Sequence, residues 1–355
     1  MITPTTEAVS GSVLQLQTGY GTDGLWLDID DYLAKATMKN GRARINRLGI
    51  FGDVELGAAY TIGKPNEKGH IPLIIVRGVS AVDMKNGKEL FLRVGDLHDG
   101  VLEDFNWTFF SPKNSDAVVA NFASNTVLAD PKKENLEPIF NMMPYGYGYL
   151  SEDRIFVRTL RKDDPTPIKH TERWLAWDLN FKEVPHFLAT ELTRLRDSLP
   201  AIEKLSVALS AKVAVIKHEP FVGGNSNVLF MAWSETKSRV LPVTINGFGL
   251  PPPDFIEMAP DGKHFYAVHN WLGASIHDIY LGRVITTDSL PIVETILLQR
   301  FDEYGSFTAA WYGDSKALGV MNTQGQDESH PVLYSWEMSD ALFNEPRNTY
   351  KPPKL

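Results

Sequence analysis

The chain has 355 residues, of which 43% are hydrophobic and 22% charged, so it can bury a large core. Its net charge of −9 at pH 7 argues against a nucleic-acid partner, because such a partner requires a basic surface. The absence of cysteine excludes disulfides, thiolate nucleophiles and zinc–sulfur sites. No apolar run approaches the length of a membrane span, and no signal peptide is visible. The compartment stays undetermined, since an extracytoplasmic protein could have lost its leader.

Short apolar strands recur along the chain. The first, "SVLQLQT" at 12–18, is interpreted as the second strand of a unit that lacks its innermost strand. A strand that often ends at an acidic turn then starts at Leu25, Val79, Thr126, Trp174, Val228, Ile276 and Val332. These starts are about 50 residues apart, a period typical of propeller blades with four strands each. Seven such units would use nearly the whole chain.

Hairpin patterns accompany these strands, each with an apolar strand, a polar turn and a second apolar strand. They lie at 108–122, 147–160, 255–271 and 309–323. In "FIEMAPDGKHFYAVHNW" the turn falls on Asp261-Gly262-Lys263, and in "AAWYGDSKALGVMNT" it falls on Asp314-Ser315-Lys316. Asp, Gly and Ser favour turns, whereas Val, Ile, Phe and Tyr suit half-buried strands. Each segment therefore predicts a β-hairpin.

Two of these hairpins carry a resemblance to known repeat families. "MAPDGKHFYAV" (258–268) resembles the S-P-D-G-K hairpin of TolB-like and WD-repeat propellers. "VSAVDMKNGKEL" (79–90) is similar to the third-to-fourth-strand hairpin of quinoprotein-like propellers. The resemblance covers hairpins of about 15 residues and implies the propeller fold. It implies no activity, because these families are functionally diverse.

The predicted fold is an all-β, seven-bladed β-propeller, with six or eight blades as alternatives. A single domain is expected over 12–340, between an N-terminal tail (1–11) and a C-terminal tail (341–355). Leucines at helical spacing predict a short helical insertion near 189–205, which Pro200 interrupts. One terminus is expected to complete a blade that the other begins, because this removes exposed strand edges.

Histidines recur in the connections that we assign between second and third strands. His70, His170, His218, His269 and His330 occupy five such connections in five units. His218 and His269 hold equivalent places, which we assign immediately after a second strand. These two are the candidate ligands of a divalent metal at the channel mouth, with Glu219 or Asp278 as a base. Scattered, solvent-facing imidazoles are the alternative, since no HxH or HExxH pattern is present.

Aromatic residues are expected on the same face of the propeller. Tyr145, Tyr147 and Tyr149 lie in "MMPYGYGYL", which we assign to a link between blades, and Trp271 follows His269. Aromatic side chains in such loops either form a binding platform or pack the loop tips.

Three functions follow from these patterns. The first is a binding propeller whose loop-rich face takes a protein, peptide or glycan partner. The second is a metal-dependent enzyme, a lyase, hydrolase or oxygenase, with histidines at the channel mouth. The third is a structural subunit of a larger extracellular or viral assembly.

Overall fold

A computed structural model describes the backbone of most of the chain. The described residues are 4–10, 13–19, 23–29, 32–50, 59–63, 65–75, 78–83, 85–86, 88–95, 108–111, 113–122, 125–140, 148–151, 154–160, 172–198, 202–209, 213–220, 227–233, 238–241, 255–271, 276–285, 292–322 and 331–344. They are mostly β-strands in small antiparallel sheets, with two short helices. None of the helices in these ranges is long and apolar enough to cross a membrane.

The described strands form seven sheets, six with four strands and one with three. The first strand in the chain, β1 (Thr5–Ala8), belongs to the last sheet. Sheet 1 contains β2 (Val13–Gln17), β3 (Gly24–Ile29), β4 (Tyr32–Lys39) and β5 (Arg42–Ile50). Sheet 2 contains β6 (Ala59–Ile62), β7 (His70–Ile75), β8 (Gly78–Asp83) and β9 (Glu89–Val94). Sheet 3 contains β10 (Thr108–Phe110), β11 (Val118–Phe122), β12 (Asn125–Ala129) and β13 (Glu137–Phe140).

The remaining sheets follow in the same order. Sheet 4 contains β14 (Gly148–Ser151), β15 (Arg154–Leu160) and β16 (Glu172–Trp177), and helix α1 (Phe187–Ser198) comes after it. Sheet 5 contains β17 (Ile202–Leu209), β18 (Val213–Pro220), β19 (Asn227–Trp233) and β20 (Ser238–Leu241). Sheet 6 contains β21 (Phe255–Met258), β22 (His264–Trp271), β23 (Ile276–Ile285) and β24 (Ile292–Phe301). Sheet 7 contains β25 (Phe307–Trp311), β26 (Ala317–Asn322), β27 (Val332–Glu337) and β1, and α2 (Asp340–Asn344) follows β27.

The four predicted hairpins are confirmed as the first two strands of sheets 3, 4, 6 and 7. In sheet 6, Asp261 Oδ1 accepts a 2.7 Å hydrogen bond from the Lys263 amide, and Gly262 has a φ of +67°. In sheet 7, Asp314 Oδ1 accepts from the Lys316 amide at 3.0 Å, and Ser315 has a φ of +61°. The two Asp side chains satisfy the backbone of their turns, and Gly262 and Ser315 supply the left-handed residue that each turn requires.

The order of strands in sheet 1 differs from the prediction. β2 is the first strand of a complete four-stranded sheet, so the recurring strand at Leu25 is a second strand. The other six recurring strands are third strands, as their common pattern suggests. Alternation alone does not say how many strands precede a given strand, and the connection at 18–23 carries no short-hairpin signal.

The two ends of the described chain meet in sheet 7. β1 pairs antiparallel with β27, in a register that places Thr5 opposite Ser335 and Ala8 opposite Val332. This confirms that one terminus completes a sheet begun by the other. β1 lies within the segment that sequence analysis assigned to a tail.

Helix α1 takes the place of a fourth strand in sheet 4. Its Thr193 Oγ1 accepts a 3.0 Å hydrogen bond from the amide of Trp174 at the edge of β16. Just before the helix, the Val184 amide donates to the Ala176 carbonyl at 2.9 Å. The predicted insertion at 189–205 is therefore helical only in its first part, because β17 begins at Ile202. Covering an edge with a helix blocks unwanted strand pairing.

Apolar clusters join neighbouring sheets rather than filling one central core. One cluster joins sheets 1 and 7, a second joins sheets 6 and 7, a third joins sheets 2 and 3, and a fourth joins sheets 3 and 4. Small side chains such as Ala34, Ala36 and Ala310 let the sheets approach closely, and Trp311 and Trp336 fill the wider spaces. Face-to-face burial of alternate side chains is the main stabilising term in such packing.

Candidate binding face

We use the name loop face for the end of the sheets where second strands connect to third strands and where residues 302–306 link sheet 6 to sheet 7. His269 lies in β22 and His218 in β18, each two residues before the strand ends. Both therefore lie inside second strands rather than after them, at equivalent backbone positions. The side chain of His218 is not among the described atoms, and the same holds for Glu219.

The predicted aromatic platform lies largely outside the described residues. Tyr145 and Tyr147 belong to the undescribed segment 141–147. Tyr149 lies in β14, the first strand of sheet 4, rather than in a link. Trp271 is the last residue of β22, and the structure describes only its backbone.

His269 belongs to a row of polar side chains across sheet 6. It lies directly opposite Asp278 of β23, which in turn lies opposite Arg300 of β24. Directly opposite residues share a face of the sheet. Tyr266, Val268 and Ile279 pack against sheet 7, so by alternation the His269 row lies on the opposite face.

An ion pair occupies the centre of this row. Arg300 donates from Nε to Asp278 Oδ1 and from Nη2 to Asp278 Oδ2, both at 2.7 Å. The Asp278 side chain is 0% exposed and that of Arg300 is 25% exposed. The carboxylate also receives a long contact of 3.4 Å from the Tyr280 hydroxyl. Both carboxylate oxygens of Asp278 are therefore occupied by Arg300, which makes Asp278 a poor candidate for a general base.

The opposite face of the same strands carries a buried imidazole. His277 is 0% exposed, and its Nδ1 lies 2.5 Å from Asn270 Oδ1. Since the amide oxygen only accepts, Nδ1 carries the hydrogen. The ring lies 4.5 Å from the Phe307 ring, which stacks on Phe301 at 4.4 Å. His277 thus packs between sheets 6 and 7 as part of an aromatic cluster.

The link between sheets 6 and 7 presents an exposed aromatic residue that sequence analysis missed. Tyr304 is 60% exposed and follows the exposed acidic residues Asp302 and Glu303. The Asn322 side chain donates a 3.3 Å hydrogen bond to the Tyr304 carbonyl, which holds the link against β26. Any side chain at Gly305 would collide with Asn322, whose Oδ1 lies 2.1 Å from the position that a Cβ would take. The signal was present: an aromatic beside glycine in a link is the feature used to choose Tyr145 and Tyr147.

The negative charge of this link affects a tyrosine of the neighbouring sheet. Burial raises the pKa of Tyr334 in β27, and the negative charge of Glu303 raises it further. The Tyr334 ring lies 5.0 Å from the Phe301 ring. The acidic charge of the link therefore lies close to the aromatic cluster below it.

The remaining candidate ligands do not gather in the described part of the chain. No group of three or more His, Asp or Glu side chains suited to a metal ion occurs among the described residues. His70 begins β7, so its connection joins first and second strands and emerges at the end opposite the loop face. The predicted position of His70 in a connection between a second and a third strand is therefore wrong. His170 and His330 lie outside the described residues.

A second polar cluster joins sheets 1, 6 and 7, through residues on or next to their first strands and Tyr266 of β22. The Tyr266 hydroxyl lies 2.8 Å from Glu257 Oε2 and 2.7 Å from the Ala309 carbonyl. Thr18 Oγ1 donates to Glu257 Oε1 at 2.9 Å and accepts from the Trp311 amide at 3.0 Å. The sequence does not predict this cluster, because its members are separated by up to 293 positions and share no motif.

The chain is similar to several solved structures. A hydrazine synthase structure from Kuenenia stuttgartiensis is 12% identical, covers 93% of this chain and 96% of its own, and has a TM-score of 0.54. Hsv2 from Kluyveromyces lactis is 9% identical, with coverage of 93% and 100% and a TM-score of 0.49. An oligogalacturonate lyase in complex with manganese is 10% identical, with coverage of 96% and 100% and a TM-score of 0.44.

The hydrazine synthase match shows the fold. This chain has a β-propeller-type fold. The propeller resemblance of its hairpins is confirmed at this level, and identities this low assign no activity. No protein-family model matches the chain, and no curated protein matches it.

Proposed function

We propose that this chain is a binding propeller whose loop face takes a protein, peptide or glycan partner. In this proposal the seven sheets are the blades of one ring, formed by a single domain that spans 12–340 and also includes β1 (Thr5–Ala8). The observation that carries it is Tyr304, a 60% exposed tyrosine on the link between two sheets. Large aromatic side chains with one exposed face and a polar end are typical of recognition sites.

The structure beneath Tyr304 supports a rigid recognition surface. The Asp278–Arg300 pair and the His277–Asn270 pair hold neighbouring strands of sheet 6, and Asn322 holds the link itself. A surface that is ordered before binding loses little conformational entropy when a partner docks. Because these polar groups are already paired, none of them offers the free base or nucleophile that catalysis would need.

The side chains of the link indicate which classes of partner fit. Tyr304 offers a ring for stacking against an apolar side chain or a sugar face. Asp302 and Glu303 offer carboxylates that accept hydrogen bonds from sugar hydroxyls or pair with basic side chains. A neutral glycan or a basic peptide fits this combination, whereas an acidic ligand would be repelled.

Binding arrays test the proposal. Immobilised glycans and basic peptides are screened with the full chain and with Tyr304→Ala. We expect at least one ligand class to bind and to lose about tenfold or more in affinity on this substitution. Leu90→Ala is the matched control, because Leu90 is also an exposed apolar residue, at 41%, but lies in sheet 2. Equal loss in both variants, or no ligand in either array, contradicts a binding role for the loop face.

The metal-dependent enzyme remains the second proposal, with His218 and His269 as ligands. The observation in its favour is that His218 and His269 lie at equivalent positions of the second strands of sheets 5 and 6, each two residues before the strand ends. Metal analysis of untagged protein, prepared with added manganese, iron, copper or zinc, decides it. Bound metal near one equivalent, lost in His269→Ala and His218→Ala, supports the enzyme. Less than about 0.1 equivalent contradicts it.

The third proposal, a structural subunit of a larger assembly, is tested by size-exclusion chromatography with light scattering. A single species near the chain mass of 39.7 kDa contradicts obligatory assembly. A defined oligomer across a tenfold dilution supports it.

A further inference from the structure

A cluster of cations lies on one face of sheet 1. None of its residues takes part in the proposal for the loop face. Arg42 and Arg44 lie on β5, and Lys35 and Lys39 lie on β4. The register places Lys39 opposite Arg42, and Thr37 opposite Arg44. Ala36 and Ala43 pack towards sheet 7, so by alternation these cations lie on the other face. Lys39, Arg42 and Arg44 are all exposed.

Three of these cations have no acidic partner among the described residues. Lys35 is engaged, because its ammonium lies 2.5 Å from Asp23 Oδ1. No ion pair joins Lys39, Arg42 or Arg44 to a described carboxylate. Like charges directly opposite each other in a sheet are destabilising, as for Lys39 and Arg42. The chain as a whole has 44 acidic and 35 basic residues, so this concentration of cations opposes its overall charge.

We propose that this face, defined by Lys39, Arg42 and Arg44 and called the basic face, binds an extended acidic segment of a protein partner. Carboxylates placed against these three cations would remove their mutual repulsion. Guanidinium groups also match carboxylates geometrically, through two parallel hydrogen bonds.

The spacing of the basic face favours an extended peptide over other polyanions. Arg42 and Arg44 are two residues apart on one strand, which separates their Cα atoms by about 6.6 Å. Alternate side chains of an extended peptide have the same spacing. β5 is also the last strand of sheet 1, and no described strand pairs with its outer edge. A peptide lying there could add main-chain hydrogen bonds to the charge contacts.

Other anionic partners fit the basic face less well. Among the described residues, the exposed large apolar side chains are Leu90, Val94 and Tyr304, and none of them lies in sheet 1. Single-stranded nucleic acids use exposed aromatic side chains for base stacking. The net charge of −9 opposes long polyanions that would extend beyond this small face.

Fluorescence anisotropy with a defined peptide tests the proposal on the full chain. The probe is a labelled peptide of alternating glutamate and threonine, about 12 residues long, in about 50 mM salt. Arg44→Gln removes one cation from the basic face. Arg47→Gln removes one cation from the same strand, but Arg47 lies on the face towards sheet 7 and donates to Ser10 Oγ at 3.2 Å. Both variants therefore remove one positive charge from β5, but they remove it from opposite faces of sheet 1.

We expect the peptide to bind the unaltered chain and to bind Arg44→Gln about fivefold to tenfold more weakly. The double variant R42Q/R44Q should bind more weakly still, and Arg47→Gln should stay within about twofold. Circular dichroism confirms that each variant is folded. No binding of the peptide, or an equal loss in Arg47→Gln, overturns the proposal. A sulfated oligosaccharide or single-stranded DNA that binds more tightly through Arg42 and Arg44 also overturns it, in favour of that partner.

Discussion

Arg300 donates two hydrogen bonds of 2.7 Å to the carboxylate of Asp278, from Nε and from Nη2, across neighbouring strands of sheet 6. The anion is fully buried, whereas the cation keeps a quarter of its side chain in solvent. This asymmetry decides what each partner contributes. Without its partner, Arg300 can be solvated, but Asp278 cannot.

Removing the cation should therefore destabilise the protein more than removing the anion. We expect Arg300→Met to lower the free energy of unfolding by about 3 kcal/mol, because it leaves a buried charge without a partner. Asp278→Asn should lower it by about 1–2 kcal/mol. Urea denaturation of both variants and of D278N/R300M measures the coupling between them. Equal losses in the two single variants would contradict the asymmetry.

The covered edge of sheet 4 gives a second prediction. Thr193→Val keeps the shape of the side chain but removes the acceptor for the Trp174 amide. We expect a loss of about 1–2 kcal/mol in the free energy of unfolding, since a donor at a packed strand edge loses its partner. Thr190→Val is the control, because among the described residues the exposed Thr190 hydroxyl bonds only to the His186 carbonyl, within the first turn of α1. Its effect should stay within about 0.5 kcal/mol.

The pairing of β1 with β27 gives a third prediction. Ala8 and Val332 lie directly opposite each other, so their Cα atoms fall within the range that a disulfide can bridge. The chain has no cysteine, so the double variant A8C/V332C can form only one intramolecular disulfide. Oxidation should raise the free energy of unfolding by about 2–4 kcal/mol, and reduction should reverse the gain. Mass spectrometry that finds only free thiols or intermolecular dimers would contradict this register.

Tyr312 gives a prediction about alkaline pH. Burial raises its pKa to about 12, although the hydrogen bond with Ser335 at 2.8 Å acts in the opposite direction. Because the folded pKa lies above the unfolded value of 10.0, the neutral phenol stabilises the fold below pH 10. This contribution is lost as the pH rises from 10 towards 12.

The measurement compares the unaltered chain with Tyr312→Phe. The difference in their free energies of unfolding should be constant up to about pH 9 and should decrease between pH 10 and 12. Comparing the two proteins cancels the titration of other groups. A difference that stays constant up to pH 12 would show that Tyr312 does not titrate with the fold.

Much of the fold could be predicted because its hairpins are local. Asp261 and Asp314 each satisfy the backbone of their own turn, so a few adjacent residues specify the structure. The order of strands in sheet 1 could not be predicted in the same way. β2 and β3 are joined by a longer connection, and their pairing depends on packing against sheet 7. β17 was missed because it directly follows a helical pattern.

Less of the candidate site than of the fold could be predicted from the sequence. His269 was found because it repeats the position of His218 in the preceding unit. Its neighbours Asp278 and Arg300 lie on two further strands, and only the register brings them into one row. Register depends on turn lengths and bulges, such as the irregularity between Ile279 and Tyr280, which no single-residue pattern reports.

The pairing of β1 with β27 also constrains the order in which the protein folds during synthesis. Ala8 is synthesised 324 residues before its partner Val332 (332 minus 8). At about 5–20 residues per second, the interval is roughly 15–65 s. Until β27 is made, β1 lacks the strand with which it pairs, and the nascent chain carries an unsatisfied strand that neighbouring chains could capture. Slowing translation should therefore increase aggregation of this protein, and the A8C/V332C disulfide should form only after β27 has been made.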